Sequence, residues 1–246
     1  MVQCCCRSTV LTIHHVAETG STNADMLQLA ASGSVADGDW LYADRQTSGR
    51  GRLGRDWASP PGNLYASGLV TLRHSDPEAA TLALVAAIAV YDTLKIWTAT
   101  QPLFIKWPND ILVDGAKISG ILLERTNDAI IVGTGVNLSF NQPNLGRAIT
   151  SMAALGVSPP DPKTFLETLT EVFANWLLLW RGEGLAAIRT AWAERAHPIG
   201  TALSAAIPDG GRVDGLFDGL TQDCALRLRL ADGSQRVIHA GDVFLI

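Results

Sequence analysis

Apolar residues recur along several stretches of the chain at the spacing of one helix face. The strongest pattern covers residues 77–96, where Leu82, Val85 and Ala89 would share a buried side. Another begins at Asp161-Pro162, because proline is favoured at the first helical position. We predict helices over residues 23–31, 77–96, 162–181 and 185–196, the first of them capped by Ser21 or Thr22.

Shorter apolar and β-branched runs between these helices predict strands. Asp114-Gly115 separates residues 110–113 from a return strand over 117–125, and this dipeptide is typical of a tight hairpin. Further strands are predicted over residues 10–16, 40–43, 63–72, 104–107 and 129–136. A hairpin beside longer helices predicts an α+β fold with a mixed or antiparallel sheet.

The pattern changes after His197-Pro198, where short strand candidates alternate with turns up to Ile246. This spacing predicts a small all-β module rather than a continuation of the helices. We therefore expect two domains, covering residues 1–196 and 197–246.

Charge is unevenly distributed along the chain. The 246 residues carry a formal net charge of −5, which argues against general nucleic-acid binding. Residues 45–55 nevertheless hold four arginines interleaved with glycines. A solvated loop is the plain interpretation, whereas the alternative is a mobile loop that closes over a small anion, since guanidinium and backbone N–H groups suit phosphate and carboxylate oxygens.

Cysteine usage and hydropathy bear on location. Cys4, Cys5 and Cys6 are adjacent, and Cys224 stands alone, so neither a disulfide framework nor a zinc pattern is indicated. No signal peptide is apparent, and the longest apolar run, residues 82–90, is too short to span a bilayer. We expect a reduced, cytoplasmic protein that does not enter a membrane.

Polar residues cluster where predicted elements begin and end. Each has a plain structural explanation: Ser21 as a helix cap, Asn109-Asp110 as a turn, and Asn137 as the close of a strand. Together they form five motifs, namely GSTN at 20–23, QTSGRGRLGRDW at 46–57, KWPNDI at 106–111, KISGILLE at 117–124 and GTGVNL at 133–138.

With these motifs the chain resembles the biotin protein ligases. The resemblance implies a class II synthetase-like catalytic fold of the biotin/lipoate ligase type and a C-terminal SH3-like β-barrel. It also implies an ATP-dependent enzyme that forms biotinyl-5′-AMP and pyrophosphate and then transfers biotin to a lysine of a biotin carboxyl carrier domain. Lipoate or octanoate transfer on the same fold, or a non-catalytic biotin sensor, are the alternatives.

The resemblance also implies roles for individual residues. Lys117 and Arg52 match the catalytic positions, and Asp110 matches a position on the Mg²⁺ side of the nucleotide. Biotin-binding positions are matched by Ser21, Thr22, Asn23, Gln46, Gly49, Arg50, Gly51, Arg52 and Lys117. ATP-binding positions are matched by Arg50, Arg52, Trp57, Asn109, Asp110, Lys117 and Asn137. Arg45 and Arg55 are instead expected to form surface pairs with Asp44 and Asp56.

Some relatives of this kind carry an N-terminal helix-turn-helix that binds DNA. Ser21 lies close to the start of this sequence, so we expect no such domain and no direct DNA binding. An acidic chain with an exposed sheet edge would permit a homodimer, and the same edge could dock the carrier by strand addition.

Overall fold

The computed structural model describes residues 11–140, 148–207 and 210–246. The long apolar stretches form helices, and most of their limits lie within one or two residues of the predicted ones. They are α1 (Thr22–Ala31), α2 (Leu82–Trp97), α3 (Pro162–Glu183) and α4 (Leu185–Arg195). Helix α2 instead begins five residues later than predicted, after a short 3₁₀ turn over Ala79–Thr81. The Ser21 side chain caps the first turn of α1, as predicted, and α3 begins at Pro162, also as predicted. The Asp161 side chain caps the first turn of α3. Cys4, Cys5 and Cys6 lie outside the described residues.

The first seven strands form one mixed sheet. They are β1 (Ile13–Thr19), β2 (Trp40–Gln46), β3 (Leu64–Thr71), β4 (Leu103–Lys106), β5 (Asp110–Val113), β6 (Ala116–Thr126) and β7 (Ala129–Val136). Their order is β1-β2-β3-β7-β6-β5-β4. Only the β1–β2 pair is parallel, so the predicted mixed α+β sheet is confirmed. The first strand continues to Thr19, beyond the predicted end at residue 16.

Side-chain alternation divides the sheet into two covered faces. Trp40 and Tyr42 belong to the main core, with α2 and α3, whereas Leu41 between them belongs to a smaller cluster under α1. That cluster also contains Met26 of α1, Leu69 of β3 and Ile131 of β7. Because strand side chains alternate, the residues two and four positions before Leu69 in β3, and two and four positions after Ile131 in β7, also face the side of α1.

The hydropathy of α2 is explained by its burial in the main core. The segment Ala79–Trp97 has 19 residues and a mean hydropathy of 1.6, so by length and composition alone it could cross a membrane. However, 61% of its most apolar window is buried within the protein, and α2 packs between the sheet and α3. A core helix of this kind is apolar nearly all round for that reason.

The last five strands form a separate antiparallel sheet. They are β8 (Ala202–Ala206), β9 (Arg212–Leu220), β10 (Leu226–Arg229), β11 (Gln235–Ile238) and β12 (Asp242–Leu245), in the order β11-β10-β9-β8-β12. The all-β tail is confirmed, but the expected barrel is not closed, since no ladder joins the edge strands β11 and β12 in the described part of the chain. The chain changes from helix to strand between Arg195 and Ala202; the domain boundary at residue 196 stays a prediction.

Candidate active site

A cleft opens on the α1 side of the large sheet, beyond the N-terminus of that helix. Its floor is made by three glycines that face this side of the sheet: Gly120 on β6, and Gly133 and Gly135, two positions apart on β7. A Cβ atom at Gly133 would lie 2.3 Å from Asn23 Oδ1, and one at Gly135 would lie 2.6 Å from the Trp57 ring. Side chains at these positions would therefore fill the space above the sheet.

The cleft has a volume of about 310 Å³, a size that suits a small ligand. Most of the residues that the motifs single out line it. They are Ser21, Thr22, Asn23, Gln46, Arg50, Gly51, Arg52, Trp57, Asn109, Asp110 and Lys117. Segments far apart in sequence thus meet here. The N-terminus of α1, the arginine-rich segment of residues 45–62 (the basic loop) and the β5–β6 hairpin all border the same part of the sheet.

One end of the cleft is lined by amide and hydroxyl groups. The N-terminus of α1 lies beside the end of β2, so the Thr22 backbone N–H donates to Gln46 Oε1 at 2.9 Å. The Thr22 hydroxyl lies 3.1 Å from the same oxygen, and Gln46 Nε2 donates to Ser59 Oγ at 3.0 Å. Thr22 is 3% exposed. This end is therefore uncharged and already hydrogen-bonded.

Asn23 extends this polar end across the sheet. Its Nδ2 donates to Glu124 Oε2 at 2.7 Å, and its Oδ1 accepts from Ser67 Oγ at 2.6 Å. Ser67 also lies 2.8 Å from Thr22 Oγ1 and is completely buried. The absent side chain of Gly133 makes room for Asn23 in this position.

The other end of the cleft is cationic and centred on Asp110. Asp110 Oδ1 lies 2.5 Å from Lys117 Nζ, and Oδ2 lies 3.1 Å from Lys106 Nζ. Burial of Asp110 favours its neutral form and raises its pKa, but the two ammonium groups more than offset this effect. The pKa of Asp110 therefore lies below its ordinary value, and the carboxylate is ionised.

A bulge in β6 brings Lys117 to this position. Leu112 pairs with Lys117 while Ile111 pairs with Ser119, so the ladder contains one extra residue between them. In a regular strand Lys117 and Gly120 would face opposite sides. The bulge turns both toward the cleft, where a Cβ at Gly120 would lie 2.8 Å from Lys117 Nζ.

The basic loop crosses the cleft and reaches the C-terminal sheet. Arg52 donates to Asn109 Oδ1 at 3.3 Å and to the Gly241 carbonyl at 3.2 Å, and Arg55 pairs with Asp242. The predicted Arg55–Asp56 pair is therefore wrong. Arg55 reaches Asp242 because the loop lies against the start of β12, a proximity that sequence distance conceals.

The predicted pair of Arg45 with Asp44 is also wrong. Arg45 pairs with Glu18 of the parallel neighbour β1 at 3.2 Å, and Asp44 accepts from His15 at 2.9 Å. Adjacent residues in a strand point to opposite faces, so Arg45 and Asp44 meet different partners. Both contacts are exposed and outside the cleft.

Trp57 lies flat on the glycine floor. Its ring is 5.1 Å from Lys117 Nζ, a cation–π contact, and it occupies the space above Gly135. Its Nε1 is buried and has no hydrogen-bond partner among the described residues. A buried indole donor without a partner carries a desolvation cost, which a ligand oxygen would remove.

Gly49 and Asn137 do not line the cleft. A Cβ at Gly49 would lie 2.5 Å from the Trp57 carbonyl, so this glycine allows the two arms of the loop to approach. Asn137 is 1% exposed, donates to the Thr150 carbonyl at 3.0 Å and lies 3.4 Å from Asn63 Nδ2. The ligand roles predicted for both residues remain predictions.

A resident metal finds little support in this site. The described residues contain no group of three or more His, Cys, Asp or Glu side chains that could hold an ion. Asp110 contacts both Lys106 and Lys117, so each of its two oxygens is already engaged by an ammonium group. A Mg²⁺ ion would have to be held mainly by ligand oxygens.

The roles inferred from the resemblance omitted several residues at the site. Arg55, Lys106 and Asp242 line the cleft, and Ser67 and Glu124 support Asn23 from behind. Lys106 and Glu124 fall inside the KWPNDI and KISGILLE motifs, so their positions were available as a signal. Asp242 arrives from the C-terminal sheet, and the resemblance assigned it no role at the site.

Comparisons with known proteins agree with this geometry. The model described as Biotin/lipoate A/B protein ligase family matches residues 19–141, and Biotin protein ligase C terminal domain matches 206–246. A biotin–[acetyl-CoA-carboxylase] ligase of Paracoccus denitrificans is 38% identical over 93% of this chain and 98% of its own length. The protein of the same name from Mycobacterium tuberculosis is 34% identical over 93% of this chain and 86% of its own.

A solved structure shares the whole fold. The biotin protein ligase from Aquifex aeolicus in complex with biotin and ATP superposes with a TM-score of 0.85 and 25% identity, covering 96% of this chain and 99% of that one. Family model, relatives and structure extend over both sheets. The chain belongs to the biotin/lipoate A/B protein ligase family.

Proposed function

We propose that this chain is an ATP-dependent biotin protein ligase that activates biotin as biotinyl-5′-AMP and transfers it to a carrier lysine. The observation that carries the proposal is the polarity of the cleft. Hydrogen-bonding groups around Thr22 and Asn23 line one end, and paired cations around Asp110 line the other. Biotin has the same polarity, with a neutral ureido ring at one end and a carboxylate at the other.

The neutral end suits the ureido ring. Gln46, Thr22 and Asn23 offer amide and hydroxyl groups at fixed positions, and a site built on buried hydrogen bonds rejects ligands that leave them unpaired. The predicted biotin-binding roles of Ser21, Thr22, Asn23 and Gln46 rest on this match. A lipoyl or octanoyl group carries no such donors and acceptors.

The cationic end suits the first chemical step. A biotin carboxylate oxygen attacks the α-phosphorus of ATP, the bond from that phosphorus to the β-bridging oxygen breaks, and pyrophosphate leaves with the electron pair. Both reactants are anionic. Lys117 and Arg52 would lower their repulsion and stabilise the charge that develops, since fixed cations act most strongly where water is excluded.

The second step transfers the acyl group. The neutral amine of a carrier lysine attacks the carbonyl carbon of the mixed anhydride, AMP leaves, and the amine loses a proton. Until then the adenylate must be protected from water. We propose that the loop with Gly49, Arg50, Gly51 and Arg52 covers it, and that Trp57 packs against the adenine.

Mg²⁺ belongs to the proposal as part of the nucleotide substrate. When bound it would neutralise phosphate charge, and phosphate oxygens would supply most of its ligands. Asp110 is the protein group predicted to face it, with Asn109 beside it. Asp110 forms ion pairs with Lys106 and Lys117 and holds both ammonium groups in the cleft.

Partner and location follow from the same chemistry. The acceptor would be the biotin carboxyl carrier domain of a biotin-dependent carboxylase, and the reaction would take place in the cytoplasm, where ATP is available. β1 and β4 are the edge strands of the large sheet. The outer edge of β4 is already met by Ala196, which bridges to Ile105, so β1 is the edge that could add a strand of the carrier or of a second copy in a homodimer.

Biotin-dependent exchange between ATP and labelled pyrophosphate tests the first step directly. The expected result is exchange with biotin and none with lipoate or octanoate, followed by transfer of labelled biotin to a carrier domain. Exchange with lipoate in place of biotin would contradict the proposal. Biotin binding without any exchange would instead indicate a sensor.

A further inference from the structure

We propose that Glu124 is a positioning residue that sets the hydrogen-bond polarity of the biotin end of the cleft. The inference rests on the proposed function and extends it to a residue that does not line the cleft. Glu124 lies on β6, where Leu122 and Gly120 face the same side toward the cleft floor. It reaches the ligand space only through Asn23.

The starting point is the fixed orientation of the Asn23 amide. A carboxylate can only accept hydrogen bonds, so the contact of 2.7 Å with Glu124 Oε2 requires Asn23 to present Nδ2. The Leu122 carbonyl, 3.4 Å from the same nitrogen, is also an acceptor. Asn23 Oδ1 must therefore face Ser67.

This orientation decides where the Ser67 proton goes. Ser67 Oγ lies 2.6 Å from Asn23 Oδ1 and 2.8 Å from Thr22 Oγ1, but it has one proton. The amide oxygen can only accept, so Ser67 donates to Asn23. Ser67 then faces Thr22 with a lone pair.

Thr22 consequently becomes an acceptor toward the cleft. Its hydroxyl proton has two acceptors behind it, Ser67 Oγ and Gln46 Oε1, which is 3.1 Å away. With the proton directed to either of them, the lone pairs of Thr22 Oγ1 are available to the ligand. A ureido ring has two N–H donors that require such acceptors.

A neutral partner in place of Glu124 would not maintain these donor and acceptor roles of Asn23, Ser67 and Thr22. Water or an amide can donate as well as accept, so the Asn23 amide could rotate and present Nδ2 to Ser67. Ser67 would then donate to Thr22 Oγ1 and occupy one of its lone pairs. The cleft would keep its shape and lose an acceptor for the ureido N–H.

Glu124→Ala and Glu124→Gln test this inference in the full chain. Glu167 is the matched control, because it is also a glutamate in a contact of 2.7 Å, with Lys163 on α3, across the sheet from the cleft. For each variant we would measure pyrophosphate exchange against biotin and ATP, calorimetric binding of biotin and desthiobiotin, and the unfolding midpoint. Desthiobiotin shares the ureido ring of biotin and lacks its sulfur ring.

Glu124→Ala should raise the biotin KM roughly tenfold, which corresponds to about 1.4 kcal/mol, with ATP KM and kcat unchanged. Both ligands should lose affinity by the same factor, because they share the ureido ring. Glu124→Gln should show a smaller rise, since its amide can still accept. Glu167→Ala and Glu167→Gln should behave as the parent enzyme.

An unchanged biotin KM in Glu124→Ala would overturn the inference, as would an equal rise in the ATP KM, which indicates general distortion. If the alanine variant does not fold, the isosteric Glu124→Gln decides alone by the same two criteria. Failure of the parent enzyme to show biotin-dependent exchange would overturn the proposed function. Normal exchange with unaffected variants would overturn only the role of Glu124.

Discussion

The carboxylate of Asp110 lies 2.5 Å from Lys117 Nζ, across the hairpin formed by β5 and β6. Asp114 and Gly115 close that hairpin with positive φ angles of 48° and 76°, the conformation of the tight turns that suit twisted strands. The bulge that follows turns Lys117 toward the cleft. Local turn chemistry thus places the most buried charge pair of the site.

Replacement of Lys117 by alanine should abolish adenylate formation. The change removes a cation from the end of the cleft assigned to the reacting carboxylate and phosphate, so exchange should fall by about 100- to 1,000-fold. Lys163→Ala is the control, because Lys163 is an exposed lysine paired with Glu167 on α3. Near-normal pyrophosphate exchange by the Lys117 variant would contradict the assignment.

Replacement of Arg52 by glycine should let adenylate escape. Arg52 holds the loop to Asn109 and to the Gly241 carbonyl, so its loss should open the cover over the intermediate. We expect biotin labelling of unrelated proteins, such as serum albumin, in addition to the carrier. Arg45→Gly, in the same segment but paired with Glu18, should label only the carrier. Labelling confined to the carrier in both variants would show that the loop is not a lid.

Asp242→Asn should loosen the basic loop without ligand. Asp242 pairs with Arg55 and lies 3.8 Å from Arg52 Nη1, and these side chains are between 23% and 37% exposed. Loss of these partly exposed ion pairs should lower the free energy of loop opening by about 1 kcal/mol. The open form would then be roughly five times more populated, so trypsin should cut within residues 45–62 roughly fivefold faster. Asp128→Asn, whose partner Arg125 is exposed, serves as control. Equal cleavage rates would exclude Asp242 as an anchor.

Gly135→Ala should disturb the cleft floor. The added methyl would lie 2.6 Å from the Trp57 ring, which must move, and such overpacking typically costs about 1–3 kcal/mol of unfolding free energy. The ATP KM should rise as well, because Trp57 is assigned to the adenine. Gly182→Ala is the control: its Cβ meets no atom within 4 Å in α3, so it should stabilise by about 0.5–1 kcal/mol. Denaturant unfolding and exchange kinetics measure both effects.

Asp110 should contribute stability that disappears in acid. Its pKa in the folded protein lies below its ordinary value of 3.8, so the unfolded chain binds the proton more tightly. The contribution is fully present above that ordinary value and is lost as pH falls through the lower folded pKa. The difference in unfolding free energy between the parent and Asp110→Asn should therefore be constant from pH 7 to about 5 and shrink below about pH 4. A difference that grows in acid would contradict this sign.

The helices and the hairpin could be predicted because their signals are local. Periodicity, the proline at the start of α3 and Asp114-Gly115 act over a few residues, and the structure confirms them. The motif residues around the cleft were predictable by resemblance. By contrast, the partners of Arg45 and Arg55 were mispredicted, since neighbours in sequence point to opposite faces or meet distant segments.

By itself the sequence determined most of the elements, the change from a mixed α+β part to an all-β tail, and the residue types of a site for an anionic, hydrogen-bonding ligand. Only the tertiary structure decided that Asp242 reaches the basic loop, that Glu124 and Ser67 form hydrogen bonds with Asn23, and that no ladder closes the C-terminal sheet in the described part of the chain. The physical reason is that these contacts depend on strand register and on the packing of one sheet beside the other. Such long-range geometry leaves no periodic or local pattern in the chain.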